Sequence, residues 1–329
     1  MAVKAWVLRA SPGAYEWGEV DDPEPGPGDV RVRPVTSALN HMDLWLARGA
    51  PRPHLPHVPG CDVAGVVEAL GEGVTDVAVG DEVVVNPAVS CGRCRACLAG
   101  ESPLCPRFAI VGEQRWGGHG ELVVVPAVNV TPRPAGRSWE ECAAYGLATL
   151  TAWRMLRRGR VRAGETVLVV GVGGGVSSAA VGLAKLIGAR VVATSRDAAK
   201  RARAQELGAD EVVDSAAERW GVEADVVLDS VGPATWNQAV RSLVPGGRLV
   251  LCGGTSGQTV ELNLPRLFFK QHEVIGSTMG SHEEWAEVTE LVARGLPVVV
   301  DEVLDLDGYP TALERLEEGR QLGKLVLRH

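Results

Sequence analysis

The sequence predicts an α/β protein in two parts: a small barrel-like β domain, then a doubly wound parallel sheet of six strands. Three observations carry this. The first third consists of short valine-rich runs broken by Pro/Gly clusters. From residue 166 onward, apolar strands alternate with amphipathic helices, and a glycine-rich turn joins the first of those strands to its helix. At 329 residues the chain also exceeds the size at which a single core stops growing, so two domains are expected.

In the β part, strands are expected at 3–8, 30–35, 63–70, 82–85 and 121–125. The turn-rich stretches 21–29 and 51–60 separate them, and a helix is expected at 40–48. Ser138 followed by Glu141 forms a capping box, which starts a helix running to about residue 156. Strands follow at 167–170, 190–194, 211–213, 225–229, 248–251 and 274–276, with helices at 176–187, 198–207 and 234–243. Right-handed crossovers between them make the sheet parallel. Two helices (282–294 and 309–318) and a strand at 325–327 complete the chain, with no internal repeat or low-complexity tract.

Composition narrows the function. A net charge of −8 argues against nucleic acid or an anionic membrane as partner, and no apolar run reaches the roughly 20 residues needed to span a bilayer. The opening segment alternates like a strand and lacks an apolar signal region. Cys61, Cys142 and Cys252 are scattered, which predicts a reducing, cytoplasmic setting.

Four further cysteines, Cys91, Cys94, Cys97 and Cys105, are spaced C-x2-C-x2-C-x7-C. Four neighbouring thiolates can enclose a tetrahedral zinc, and a closed shell of four cysteines leaves no position for water or substrate, so that zinc is structural. Disulfide pairing is the alternative, and nothing in the chain points to export.

The strand at 167–170 runs into "GVGGGVSSAAVGLAK". Glycines at 171, 173, 174 and 175 allow a tight turn and let backbone N–H groups, with Val176 opening the helix, approach a pyrophosphate. Val176 and Ser177 depart from the usual glycine string, so the strand before and the helix after carry the reading. An NAD site is expected to end the second strand with an acidic residue for the ribose diol. Here stand Ser195 and Arg196, with Lys200 one turn on, a hydroxyl and two cations that suit a 2′-phosphate. NADP(H) is therefore expected, NAD(H) being the alternative. Asp197 is either the missing acid or, more simply, the cap of the helix at 198.

Together these segments resemble the medium-chain dehydrogenase/reductase superfamily, which includes zinc alcohol dehydrogenases and quinone oxidoreductases. The resemblance spans the chain and rests on "EPGPGDVRVRP", "ALNHMDLWLARG", "PGCDVAGVVEALGEGVTDVAVGDEV", "TAWRML", "GGGVSSAAVGLAKLIGARV" and "GKLVL". It implies a GroES-like catalytic domain over 1–147, with the zinc lobe at 91–105, and a Rossmann domain over 148–278. Residues 279–329 then return to the first domain, and the active site lies between the two. Relatives assemble as dimers or tetramers, so a homodimer or homotetramer is implied.

The resemblance also bears on a second, catalytic zinc. Its three ligand positions read Asn40, Cys61 and Leu147 here, and Met42 stands at the relay hydroxyl. One soft donor falls short of the three that hold an open zinc. That points to reduction of a quinone or an α,β-unsaturated carbonyl compound, where conjugation stabilises the oxyanion without a metal. Asn40 is then either its hydrogen-bond donor or a turn-stabilising residue. Asp43 and Asp62 either line the cleft or satisfy buried donors. The resemblance places Thr151 beside the nicotinamide and His41, Gly253, Gly254, Met279 and Lys324 against other parts of the cofactor. Two other readings stand: an alcohol dehydrogenase with an atypical metal shell, and a nucleotide-binding protein without catalysis.

Overall fold

The structure, a computed structural model, describes residues 2–329. It forms two compact units, one taking the chain up to Leu147 together with Ser281–His329, the other Ala148–Gly280.

In the first unit Ala2–Leu8 (β1) pairs antiparallel with Tyr15–Asp21 (β2) as a separate two-stranded sheet. Then come Asp29–Ala38 (β3), His41–Ala47 (α1), Asp62–Leu70 (β4), Glu82–Val85 (β5), Ala88–Val89 (β6) and the four-residue Arg95–Leu98 (α2). Ala109–Ile110 (β7), Val123–Pro126 (β8) and Val130–Pro132 (β9) follow. Valines at every second position give the sheet one apolar face. Val30, Val32, Val63, Val67, Val83, Val85, Val123 and Val125 meet in a core where none is more than 2% exposed.

Trp139–Arg158 (α3) leads into the second unit. Its expected box is present: Ser138 Oγ accepts from Glu141 N–H at 3.1 Å, and Glu141 Oε2 accepts from Ser138 N–H at 3.0 Å. Thr166–Val169 (β10), Gly175–Ile187 (α4), Arg190–Ser195 (β11), Ala198–Glu206 (α5) and Glu211–Asp214 (β12) come next. Ala224–Asp229 (β13), Trp236–Arg241 (α6), Leu243–Leu251 (β14), Leu264–Lys270 (α7) and Glu273–Gly276 (β15) complete it. The six strands are all parallel, in the order β12-β11-β10-β13-β14-β15. Covered on both faces, β10 is apolar beyond Thr166: Val167, Leu168 and Val169 are at most 1% exposed. The order reverses beside β10, the switch point where doubly wound sheets bind ligands.

The last segment, His282–Ala293 (α8), Val300–Asp305 (β16), Tyr309–Glu317 (α9) and Lys324–Arg328 (β17), belongs to the first unit. There β17 runs antiparallel to β3 and parallel to β16, in a sheet ordered β16-β17-β3-β4-β5-β9, with β8 also on β3.

Seven elements lie outside the sequence expectation: β2, β16 and α7, and the short β6, α2, β7 and β9. The first two, "YEWGEVD" and "VDEVLD", carry too many acids for an apolar alternation to show, because each packs only part of one face. Pro265 reads as a breaker, yet it sits in the first turn of α7, where its missing N–H costs nothing, and Asn263 caps that turn by accepting from Arg266 N–H. No helix among the described residues is long and apolar enough to cross a membrane.

Candidate active site

In the second unit the strand ends gather the residues expected at a dinucleotide edge. Gly171 follows β10 with φ +73°, and its N–H donates to Thr194 Oγ1 at 3.0 Å. Gly173 has φ +154°, in the region that favours glycine. A Cβ there would meet Lys200 Cδ at 3.0 Å and Nζ at 3.2 Å, so the ammonium lies against the loop. Gly174 caps α4 without a side chain, which leaves the first N–H groups of the helix, including those of Gly175 and Val176, uncapped. The hydroxyls of Ser177 and Ser178 turn inward instead, to the carbonyls of Gly171 and Gly174, at 2.7–3.1 Å. Uncapped amides, the positive helix end and a cation fit the phosphates of a dinucleotide.

Next to this loop, Ser195 ends β11 buried and Arg196 is exposed. Asp197 accepts from Ala199 N–H at 2.7 Å and Lys200 N–H at 3.1 Å, and these bonds hold its pKa below the ordinary range, the Lys200 N–H contributing most. Its carboxylate therefore caps α5. Gly253 follows β14 so closely on the neighbouring strand end that a Cβ would come 3.1 Å from Ser230 O, and Gly254 next to it is exposed. Thr151 on α3 and Ser277 beyond β15 each bury a hydroxyl with no hydrogen-bond partner in the protein, as residues awaiting a polar ligand do. Met279 is 3% exposed with φ +47°, which turns the chain out of the unit.

In the first unit the four cysteines converge. Their Sγ atoms all lie within 4.8 Å of one another, Cys94 to Cys97 at 3.5 Å and Cys91 to Cys97 at 4.0 Å. Tetrahedral zinc with bonds near ~2.3 Å wants sulfurs about 3.8 Å apart, so the set fits. Cys105 Sγ accepts from Arg107 N–H at 3.3 Å and Cys91 N–H at 3.5 Å, the bonds a metal-bound thiolate takes. Among the described residues no other His/Cys/Asp/Glu group gathers this way.

A buried polar cluster occupies the place where the resemblance puts the second metal. Asn40 caps α1, and its N–H donates to Asp43 Oδ2 at 2.8 Å. Its Nδ2 donates to Asp62 Oδ2 at 2.8 Å and, at longer range, to Cys61 Sγ at 3.2 Å and Ala38 O at 3.4 Å. Lys324 Nζ reaches Leu39 O, Asn40 Oδ1 and Asp62 Oδ2, each at 2.7 Å. Asp62 Oδ1 accepts from Leu147 N–H at 2.6 Å, so both carboxylates, Asp43 and Asp62, satisfy buried donors. Cys61 is 1% exposed; burial first, then the Asp62 and Asp43 charges, push its pKa well up and keep the thiol neutral. Met42, Trp45, Ile110 and Leu147 pack around it as an apolar wall. His41 opens α1 with its pKa lowered by burial and then by Lys324. Of the three ligand positions only Cys61 offers a soft donor, since Leu147 is apolar and the Asn40 carboxamide is taken up by Asp62 and Lys324.

Two features here have no counterpart in the sequence reading. Lys324 turns its ammonium into the cluster rather than outward. Behind Asp43, Ser37 Oγ bridges His119 Nδ1 at 2.9 Å and His329 Nε2 at 2.8 Å. Three residues separated by 82 and 292 positions leave no local signature.

Comparisons with known proteins give the family. The alcohol dehydrogenase GroES-like domain family matches residues 26–135, and the zinc-binding dehydrogenase family matches residues 175–294. An acryloyl-coenzyme A reductase of Metallosphaera sedula is 31% identical over 99% of both chains. An alcohol dehydrogenase of Geobacillus stearothermophilus is 32% identical, again over 99% of each. A solved NAD-dependent alcohol dehydrogenase superposes over 100% of both chains with a TM-score of 0.94 and 43% identity.

Proposed function

Because the chain belongs to the zinc-containing, alcohol-dehydrogenase-like branch of the medium-chain dehydrogenase/reductase superfamily, and is thereby an NAD(P)(H)-dependent oxidoreductase, we propose that it reduces a conjugated acceptor with NADPH and no catalytic zinc. The acceptor is a quinone or an α,β-unsaturated carbonyl compound, in the cytoplasm, and the enzyme is a homodimer or homotetramer.

Asn40 carries this reading. Of its two amide hydrogens one is committed to Asp62 at 2.8 Å, while the other has only the longer contacts to Cys61 Sγ and Ala38 O. That weakly held N–H is the donor for the oxygen on which charge develops. A nicotinamide bound along the strand ends of the second unit would supply the hydride. Uptake at the β-carbon sends the alkene π pair to the carbonyl oxygen, and a solvent proton then completes the α-carbon. The wall of Met42, Trp45, Ile110 and Leu147 excludes water and suits an apolar acceptor. Gly171 and Gly173–Gly175 with Val176 receive the pyrophosphate, and Ser195, Arg196 and Lys200 receive the 2′-phosphate. Thr151, His41, Gly253, Gly254 and Met279 contact the rest of the cofactor. The similarity to an enzyme named for acryloyl-coenzyme A, whose acyl group is an activated alkene, supports the reaction class.

Similarity to alcohol dehydrogenases favours a second reading, in which Cys61 anchors a catalytic metal of unusual shell. One set of measurements separates the two. Purified protein should hold one zinc per chain and turn over 1,2-naphthoquinone and an alkenal but no primary alcohol; two zincs with alcohol turnover overturn the proposal. Arg196→Ala should raise KM for NADPH by about 10- to 100-fold, the worth of one charge-assisted phosphate contact, and leave NADH nearly unchanged. Equal losses for the two would place NAD(H) there instead.

A further inference from the structure

An ammonium buried to 4% exposure needs every one of its hydrogens satisfied, or its desolvation goes unopposed. Lys324 meets that demand with three acceptors at 2.7 Å: a backbone carbonyl, the Asp62 carboxylate and the Asn40 carboxamide oxygen. In this arrangement the cluster takes all three donors of a residue that the resemblance also sets against the cofactor.

The third contact distinguishes this site from a plain buried ion pair. Lys324 grips Asn40 by its oxygen, while Asp62 Oδ2 takes one hydrogen of the same carboxamide at 2.8 Å. The three side chains close a triangle, since Lys324 also binds that same Asp62 oxygen. Turning the amide over would set its NH2 against the ammonium and its oxygen against the carboxylate, so the triangle permits one orientation. In that orientation the second Nδ2–H is the one held only by the longer sulfur and carbonyl contacts. A cation on the amide oxygen also withdraws electron density from the nitrogen and strengthens its N–H donors, more so in a dry site.

We propose that Lys324 is a positioning residue for the reaction: with Asp62 it clamps the Asn40 carboxamide so that its remaining N–H meets the substrate oxygen, and its charge strengthens that donor. The inference rests on the function proposed above and adds to it the part of the site that holds and polarises the donor.

The test uses the full-length, zinc-loaded enzyme with NADPH and an alkenal. Lys324→Met strands the Asp62 charge and endangers folding, so the principal variant is the pair Lys324→Met/Asp62→Leu, which removes both charges together. Its kcat should fall about tenfold to hundredfold, as expected when an oxyanion donor is loosened. That loss of kcat should exceed any change in its NADPH dissociation constant, read by fluorescence titration. Asn40→Ala should lose at least as much kcat, and adding the Lys324/Asp62 pair to Asn40→Ala should cost nothing further. A folded double variant with wild-type kcat overturns the inference, as do losses that multiply with Asn40→Ala, or weakened NADPH binding with kcat intact. If Asn40→Ala alone keeps full kcat, the proposed role of Asn40 fails and this inference falls with it. A slow Asn40→Ala beside a fast Lys324/Asp62 variant sinks the inference alone.

Discussion

His57 illustrates how a single side chain couples stability to pH. It is 2% exposed and its Nε2 donates to the Gly112 carbonyl at 2.9 Å; burial holds its pKa below the ordinary imidazole value. The unfolded chain takes up its proton near pH ~6.5. Below that value the unfolded state binds a proton that the folded state resists, so the contribution is full above it and is lost as pH falls toward the lowered folded pKa. His57→Gln keeps a donor for Gly112 and removes the titration. Between about pH 7.5 and about pH 5.5 the drop in Tm should therefore be smaller in the variant than in wild type. Parallel drops would assign the pH response to other groups. His57 gave no sign of this in the sequence, where it is one histidine in a proline-rich loop.

At the scale of elements, α3 shows what pattern reading misses. The capping box marks its start, and its apolar periodicity runs unbroken to Leu156, yet Gly146 departs from helical geometry with φ −37° and ψ −108°. The cause lies outside the helix. A Cβ at Gly146 would overlap Asp62 Oδ1, the atom that receives Leu147 N–H. The glycine lets a buried carboxylate approach the backbone, and the kink delivers an N–H to it. Gly146→Ala should destabilise the protein by about 1–3 kcal/mol in urea unfolding, the usual range for overpacking. An unchanged midpoint would show that Asp62 can move aside freely. By contrast, the glycine loop before α4 was legible, because its chemistry is local: turn, uncapped amides and helix follow one another in sequence.

At the scale of the whole molecule, the cysteine lobe depends on something other than a core. Its helix α2 has four residues and buries none of them, and Leu98 and Leu104 are 77% and 65% exposed. Backbone N–H groups and the Arg107 guanidinium ease the repulsion among clustered thiolates, and a metal would offset the larger part of it. Stripping zinc with a strong chelator should lower Tm and open residues 91–105 to a protease, while the far-UV spectrum of the two units is retained. An unaltered cleavage pattern would show that the lobe folds without the ion. The central parallel strands need no such support, since both faces of the sheet are covered there.

Order along the chain left Asp197 open between helix cap and ribose acid, but was enough to determine the class of fold, the glycine turn with its helix and the four-cysteine lobe. Each depends on residues a few positions apart, where spacing alone sets geometry. Only tertiary structure decided that β17 lies against β3, and hence that Lys324 meets Asn40 and Asp62 across 284 and 262 positions. It likewise decided that Ser37 joins His119 to His329 and that Gly146 yields to Asp62. A buried charge selects its partners by desolvation, and which groups share a dry interior is a property of the folded chain, not of any segment of it.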